Sequence, residues 1–274
     1  MHARYEHNKM REAGLLAMGF CRCGKLPDIG RKTCQLCLNK QAERRNRNKN
    51  AGLCQCGRDK PVDGYKRCIY CIEQGRIHDL TDFLAALDHY GGRQCTQCKT
   101  TELSFLTLDH IKNDGYEVRR NNNNIAGVKL ASKLRNLGYP QDAGIQILCW
   151  NCQLGKLRNR GVLVNNDIIY LCDCVTTKPC LHNLSYDQRK RRKLCLRTFQ
   201  AYGGSECVRC HEINPFYLTI EHSNGDGKEH HKVIGKDIYT WLRRNNYPQD
   251  LGLCILCANC NSSVGSIRNL LDIV

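Results

Sequence analysis

Apolar residues recur at helical spacing in two separate stretches of this chain. One holds Phe83, Leu84, Leu87 and Tyr90; the other holds Leu196, Phe199 and Tyr202. Side chains three and four apart share one helix face, so each stretch predicts a helix with one buried stripe. Each helix is closed by Gly-Gly, a stop signal. A Cys-x-x-Cys follows, and then a short apolar run that turns polar at its end, reaching LTLDHI in the first stretch and LTIEHS in the second. These runs predict strands. After a Gly- and Asn-rich loop come a short helix (KLASKLRNLGYPQD; KDIYTWLRRNNYPQD) and a second strand ending LCWNCQ or LCANCN. A last helix is predicted to open there, on QLGKLRN or NSSVGSIRNLL. One pattern is therefore written twice, over about 80–160 and 192–268.

Composition explains how such small patterns hold together. Aromatic residues make up 7% of the 274, and mean hydropathy is −0.53. A single large apolar core is not expected. The chain has 21 cysteines instead, and small units short of a core are commonly stapled. The first twenty residues carry charges throughout, with no signal-peptide core, and no run is long enough to span a membrane. An intracellular location is the expectation, where thiols stay reduced and closely spaced cysteines read as metal ligands.

A shorter repeat occupies the N-terminal part. CRCGKLPDIGRKTCQLC offers Cys21, Cys23, Cys34 and Cys37; CQCGRDKPVDGYKRCIYC offers Cys54, Cys56, Cys68 and Cys71. Two close pairs joined by a short loop supply the four soft ligands of a tetrahedral zinc. A partial third copy, LCDCVTTKPCLHN, offers Cys172, Cys174, Cys180 and His182 with irregular spacing. In each long repeat, Cys95 and Cys98 would share a zinc with Cys149 and Cys152, and Cys207 and Cys210 with Cys257 and Cys260. Four or five structural Zn²⁺ ions follow. Cys195 reads as a small buried apolar residue in a helix, and Cys254, which replaces Gln146 of the first copy, falls outside the ligand sets. The expected division is an N-terminal segment (1–20), zinc modules at 21–50 and 51–79, a long module at 80–165, a partial zinc module with basic linker at 166–191, and a long module at 192–274.

The net charge of +16 favours a polyanionic partner, most simply nucleic acid. Candidate phosphate contacts are Arg44, Arg45, Arg47 and Lys49 after the first short module, and Arg189, Lys190, Arg191, Arg192 and Lys193 after the third. Within the long modules they are Arg119 and Arg120, and His230, His231 and Lys232. Each long module also sets an acid beside a histidine at its first strand end, Asp109-His110 and Glu221-His222. Gln153 or Asn261 follows the last cysteine directly. A zinc closed by four thiolates cannot activate water. A hard ion such as Mg²⁺ could take the carboxylate and amide oxygens, and an imidazole could take a proton from an attacking water. Exposed polarity at a strand end is the plainer reading, weakened by the pair's recurrence at the same offset from the cysteines. Asn151 and Asn259 read as capping or packing residues at the helix start. No phosphate loop, dinucleotide fingerprint or Gly-x-Ser-x-Gly elbow is present.

Cys-x-x-Cys, a strand ending in Asp-His or Glu-His, and then Leu-Cys-x-x-Cys-Asn resembles the treble-clef HNH (His-Me finger) endonucleases. The ending is closest to phage HNH proteins and the recombination endonuclease VII type. The resemblance covers the two long modules. It implies small zinc-stabilised α+β modules: two treble-clef ββα-metal units, beside short zinc-ribbon or knuckle units. It also implies a phosphodiester-cleaving enzyme using one Mg²⁺ or Mn²⁺ ion, with double-stranded DNA as substrate and a phage or bacterial-host setting. By it, Glu221 and Asn261 are divalent-metal ligands and His222 the general base; the matching first-module residues are Asp109, Gln153 and His110. The first copy departs in Gln153, the second in Glu221, and Gly144 and Gly252 stand where the family's central Asn would be. The rival reading is a non-catalytic zinc-finger DNA- or RNA-binding protein on a degenerate HNH scaffold. A third treats the Cys pairs as redox centres.

Overall fold

The computed structural model describes residues 2–115, 117, 120, 127–159, 185–235 and 237–262. The chain divides into two compact units, Met1–Arg76 and Ile77–Val274. The candidate third short module, with Cys172, Cys174, Cys180 and His182, lies outside the described residues, as does Arg119.

The first unit opens with α1 (His2–Ala17), which leads into the first cysteine turn. Cys21 N–H donates to Lys25 O at 2.8 Å, and Gly24 N–H donates back to Cys21 O at 2.8 Å. The second short repeat makes a similar turn, one residue longer, from Cys54 N–H to Asp59 O and from Gly57 N–H to Cys54 O, both at 2.8 Å. In each repeat the second cysteine pair then opens a helix. Cys34 is the N-cap of α2 (Gln35–Asn50), and Cys68 immediately precedes α3 (Ile69–His89). Helix N-termini favour thiolates, so the ligands sit where the backbone stabilises their charge. No residue of α2 is buried, and Arg44, Arg45, Arg47 and Lys49 all lie on it.

The second unit contains the two long repeats. In the first, the later turns of α3 bury Leu80, Asp82, Phe83, Ala86 and Leu87. Phe83 and Leu87 enter the core with Leu84 and Tyr90 packed against it, as their spacing predicts. A short 3-10 turn, Leu103–Phe105, leads into β1 (Leu106–His110). Next come α4 (Val128–Asn136), β2 (Ile145–Cys149) and α5 (Trp150–Arg158). Strands β1 and β2 pair antiparallel, Leu106 opposite Cys149 and Asp109 opposite Gln146.

The second repeat runs through α6 (Tyr186–Ala201), β3 (Leu218–His222), α7 (Gly227–Ile234), α8 (Ile238–Arg244), β4 (Leu253–Cys257) and α9 (Ala258–Ser262). Here too the strands pair antiparallel, Leu218 opposite Cys257 and Glu221 opposite Cys254. Each repeat has its own core, one around Phe83, Leu106 and Ile147, the other around Phe199, Leu218 and Ile255. A matching tie closes both: Tyr90 Oη donates to Pro140 O at 3.1 Å, and Tyr202 Oη to Pro248 O at 2.7 Å. The YPQD segments that the repeats share are thus the receivers of these bonds.

Two features depart from the expected division. The basic run DQRKRRK is no linker, because α6 carries it directly into the apolar stripe of the second module. Ser185 and Gln188 form a reciprocal capping box at its start. Asn151 and Asn259 do more than cap. Asn151 N–H donates to Asn259 Oδ1 at 3.0 Å, and Asn259 N–H donates to Asn151 Oδ1 at 2.9 Å. These four buried groups join the first turns of α5 and α9 by symmetric bonds. Arg158 adds to the joint, donating to Phe216 O at 2.9 Å and Leu218 O at 2.7 Å. The two copies are therefore packed on each other as an internal pair.

Candidate functional site

Four cysteine sets converge: Cys21, Cys23, Cys34 and Cys37; Cys54, Cys56, Cys68 and Cys71; Cys95, Cys98, Cys149 and Cys152; Cys207, Cys210, Cys257 and Cys260. Within each set all sulfurs lie within 4.8 Å of one another. Zn–S bonds near 2.3 Å imply a tetrahedral S···S edge of about 3.8 Å. Close pairs here measure 3.4 Å (Cys23–Cys34), 3.5 Å (Cys56–Cys68), 3.6 Å (Cys98–Cys149) and 3.6 Å (Cys210–Cys257). Backbone N–H groups of Cys23 and Cys34 hold the Cys21 thiol down to about 6, and those of Cys56 and Cys68 do the same for Cys54. The donor chemistry and spacing fit four structural zinc ions. Cys195 stays outside these sets, half-buried on α6, where burial pushes its thiol up. Cys254 also stays outside, opposite Glu221.

The acid-histidine pairs lie at the ends of β1 and β3. Successive strand side chains point to opposite faces. In β3 this puts Glu221 with Thr219 on one face, and buried His222 with Leu218 and Ile220 on the other. Because the strand ends there, both still line one cleft of about 460 Å³, shared with Gly225, Gly227, Lys228 and His231. Asn261 reaches across from α9, its Nδ2 donating to Glu221 Oε2 at 2.8 Å and Thr219 Oγ1 at 3.1 Å. Glu221 Oε1 accepts the N–H of His222 at 3.2 Å.

His222 is held from two sides. Its Nε2 lies 2.6 Å from His230 Nδ1, and its Nδ1 faces Gly227, where an added Cβ would come within 2.9 Å. His110 Nδ1 meets Gly115 at the same 2.9 Å. Each imidazole thus rests against a bare Cα at the far side of its loop. His230 is packed edge-on against Trp241, ring centroids 5.1 Å apart. Desolvation, followed by neighbouring His222, lowers its pKa, which favours the neutral ring. His230 therefore serves the imidazole rather than standing out toward a phosphate. His231 is exposed and its Nδ1 donates to Gly235 O at 3.1 Å; Lys232 pairs with Glu229 at 2.6 Å.

The first module assembles the same residue types differently. Asp109 is buried, and its carboxylate accepts three side-chain donors. Lys156 Nζ and Gln146 Nε2 reach Oδ2 at 2.6 and 2.8 Å, and Gln153 Nε2 reaches Oδ1 at 3.3 Å. Lys156, only 2% exposed, also donates to His110 O at 2.6 Å. A cleft of about 440 Å³ is lined by Asp109, His110, Gly115 and Gln153, with Thr219 and Asn261 of the second module on its far wall.

Among the basic residues of α6, Arg191 pairs with Asp237 at 2.6 Å and Arg192 lies 3.7 Å over the Phe216 ring. Both are turned toward the protein. Lys190, Lys193 and Arg120 are exposed, and Arg189 is half-buried. Sequence reasoning missed Lys156, Gln146, Gly115, Gly227 and the pairing role of His230. Only the glycines carried a readable signal, since each stands five residues after its histidine.

Comparison with protein-family models, with curated proteins and with solved structures gives no match. Among the described residues, no helix is long and apolar enough to cross a membrane.

Proposed function

We propose that this chain is a zinc-stapled, divalent-metal-dependent endonuclease of the HNH type. It acts on nucleic acid, with double-stranded DNA as the substrate of choice, and its second long module carries the reaction. The observation that carries this reading is the contact of Asn261 with Glu221, at 2.8 Å, next to His222, whose Nε2 lies 2.6 Å from His230 and which lines a cleft with Glu221.

The donor set fits a hard divalent ion. A carboxylate and an amide oxygen would take two positions and leave the rest to water and phosphate. Asn261 would turn its amide to present Oδ1, exchanging its bond to Glu221 for the ion. When bound, the ion would offset the charge that develops on the phosphate and the leaving oxygen.

The remaining work falls to the chain's own groups. With His230 Nδ1 accepting from His222 Nε2–H, the lone pair of His222 would lie on Nδ1. That nitrogen is the one from whose side a water would approach to give up its proton. Lys228, on the cleft wall, supplies positive charge for the incoming phosphate. The four-cysteine sets are closed by thiolates and hold the strand end and helix start in place without entering the chemistry. The exposed basic residues of α2 suit a phosphate backbone.

The test is nicking of supercoiled plasmid by zinc-loaded protein, with and without Mg²⁺ or Mn²⁺. Metal-dependent nicking that falls about 100-fold or more in Glu221→Gln is the expected result. Intact binding with no cleavage under either metal would establish the non-catalytic reading instead. That reading draws its support from the first module, whose carboxylate is already fully engaged.

A further inference from the structure

We infer that Lys156 stands in place of the divalent ion in the first module, so that the chain carries one divalent-metal site and not two. This rests on the reading of the acid-histidine clefts as metal sites, and it assigns them unequal fates.

The residues around Asp109 do not fit an added cation. The Lys156 ammonium already lies 2.6 Å from Asp109 Oδ2 and 2.6 Å from His110 O, buried to 2% exposure. Gln146 and Gln153 occupy the carboxylate further, both through N–H donors. A divalent ion on Asp109 would have to expel the ammonium, which would then be left buried without its counter-charge. Losing the partner of a buried charge is strongly unfavourable.

The replacement is encoded by one position. Lys156 lies four residues after Cys152, one turn along α5, on the side that faces Asp109. Four residues after Cys260 the second module has Val264, which can supply no cation. Cys254 takes the place of Gln146 opposite the acid, so that donor is missing as well. Among the described residues, the side-chain donor that Glu221 meets in its own module is Asn261.

The test counts Mn²⁺ bound to the zinc-loaded full chain by the loss of the free-ion paramagnetic resonance signal. Zinc content in each variant reports that the fold is kept. The parent and Asp109→Asn should bind one Mn²⁺ each, and Glu221→Gln none. Lys156→Ala should gain a second Mn²⁺, lost again in the Lys156→Ala/Asp109→Asn double variant. A parent that binds two ions, one of them lost in Asp109→Asn, overturns the inference. So does a zinc-replete Lys156→Ala that gains no ion. If Lys156→Ala cannot retain zinc, the comparison of the parent with Asp109→Asn decides. If the parent binds no Mn²⁺, the metal reading of Glu221 fails by itself. An Asp109-dependent gain in Lys156→Ala would then still uphold the role of Lys156, and its absence would overturn it.

Discussion

The two long modules share elements, cysteine spacing and an acid-histidine pair, yet they treat the pair in opposite ways. In the first, the acid is buried under three donors and the histidine is the more exposed partner. In the second, the histidine is buried, backed by His230, and the acid is the more open partner. At the position of His230 the first module has Val118, and at the position of Lys156 the second has Val264. These exchanges, with Gln146 against Cys254 opposite the acid, separate a carboxylate neutralised from within from one left more open. Duplication preserves a scaffold because zinc and the small cores depend on few positions; the chemistry at the strand end is free to diverge.

The largest expected effect concerns what the modules have in common. Stripping zinc from either long module should unfold that module, since structural zinc supplies about 10–16 kcal/mol of apparent binding energy in small domains. Cys149→Ser and Cys257→Ser should each lose one zinc, and loss of circular dichroism should follow in both. Retention of four zinc ions by either variant would break the shared framework.

Lys156→Ala should come next and should touch only the first module. It leaves the Asp109 carboxylate buried without its cation, at a cost of about 3–5 kcal/mol. Denaturant unfolding should report this loss, whereas Glu221→Gln, at a half-open acid, should change stability far less. Equal effects would mean that the two acids are not differently housed.

A smaller effect tests the joint between the copies. Asn151→Ala removes one acceptor from a buried backbone N–H of Asn259, and Asn259→Ala does the same to Asn151. Each should cost about 1–3 kcal/mol by unfolding. The double variant should cost less than the sum if the two bonds act as one unit. Strict additivity would mean that the symmetric bonds are independent.

Much of this arrangement could be read from the chain. The cysteine spacing located all four described sets, because tetrahedral ligation constrains ligands that are close in sequence. The helical stripe at Phe83 and Leu87 and the strand ends at His110 and His222 were legible for the same local reason. Lys156 was not, because a lysine on a helix reads as solvated until the carboxylate opposite it is placed. The Asn151–Asn259 exchange needs two copies folded against each other. Gly227 was legible as a loop glycine but not as the surface on which His222 rests. Arg191 and Arg192 looked like phosphate contacts, but only the fold brings Asp237 and Phe216 to them.

The central claim is that the second module alone is equipped for catalysis, and plasmid nicking by His222→Ala and His110→Ala in Mg²⁺ tests it most directly. The expected result is a loss of about 10²–10⁴ in rate for His222→Ala, with DNA binding kept. His110→Ala should stay within a few-fold of the parent. The claim is contradicted if His110→Ala abolishes nicking while His222→Ala retains it.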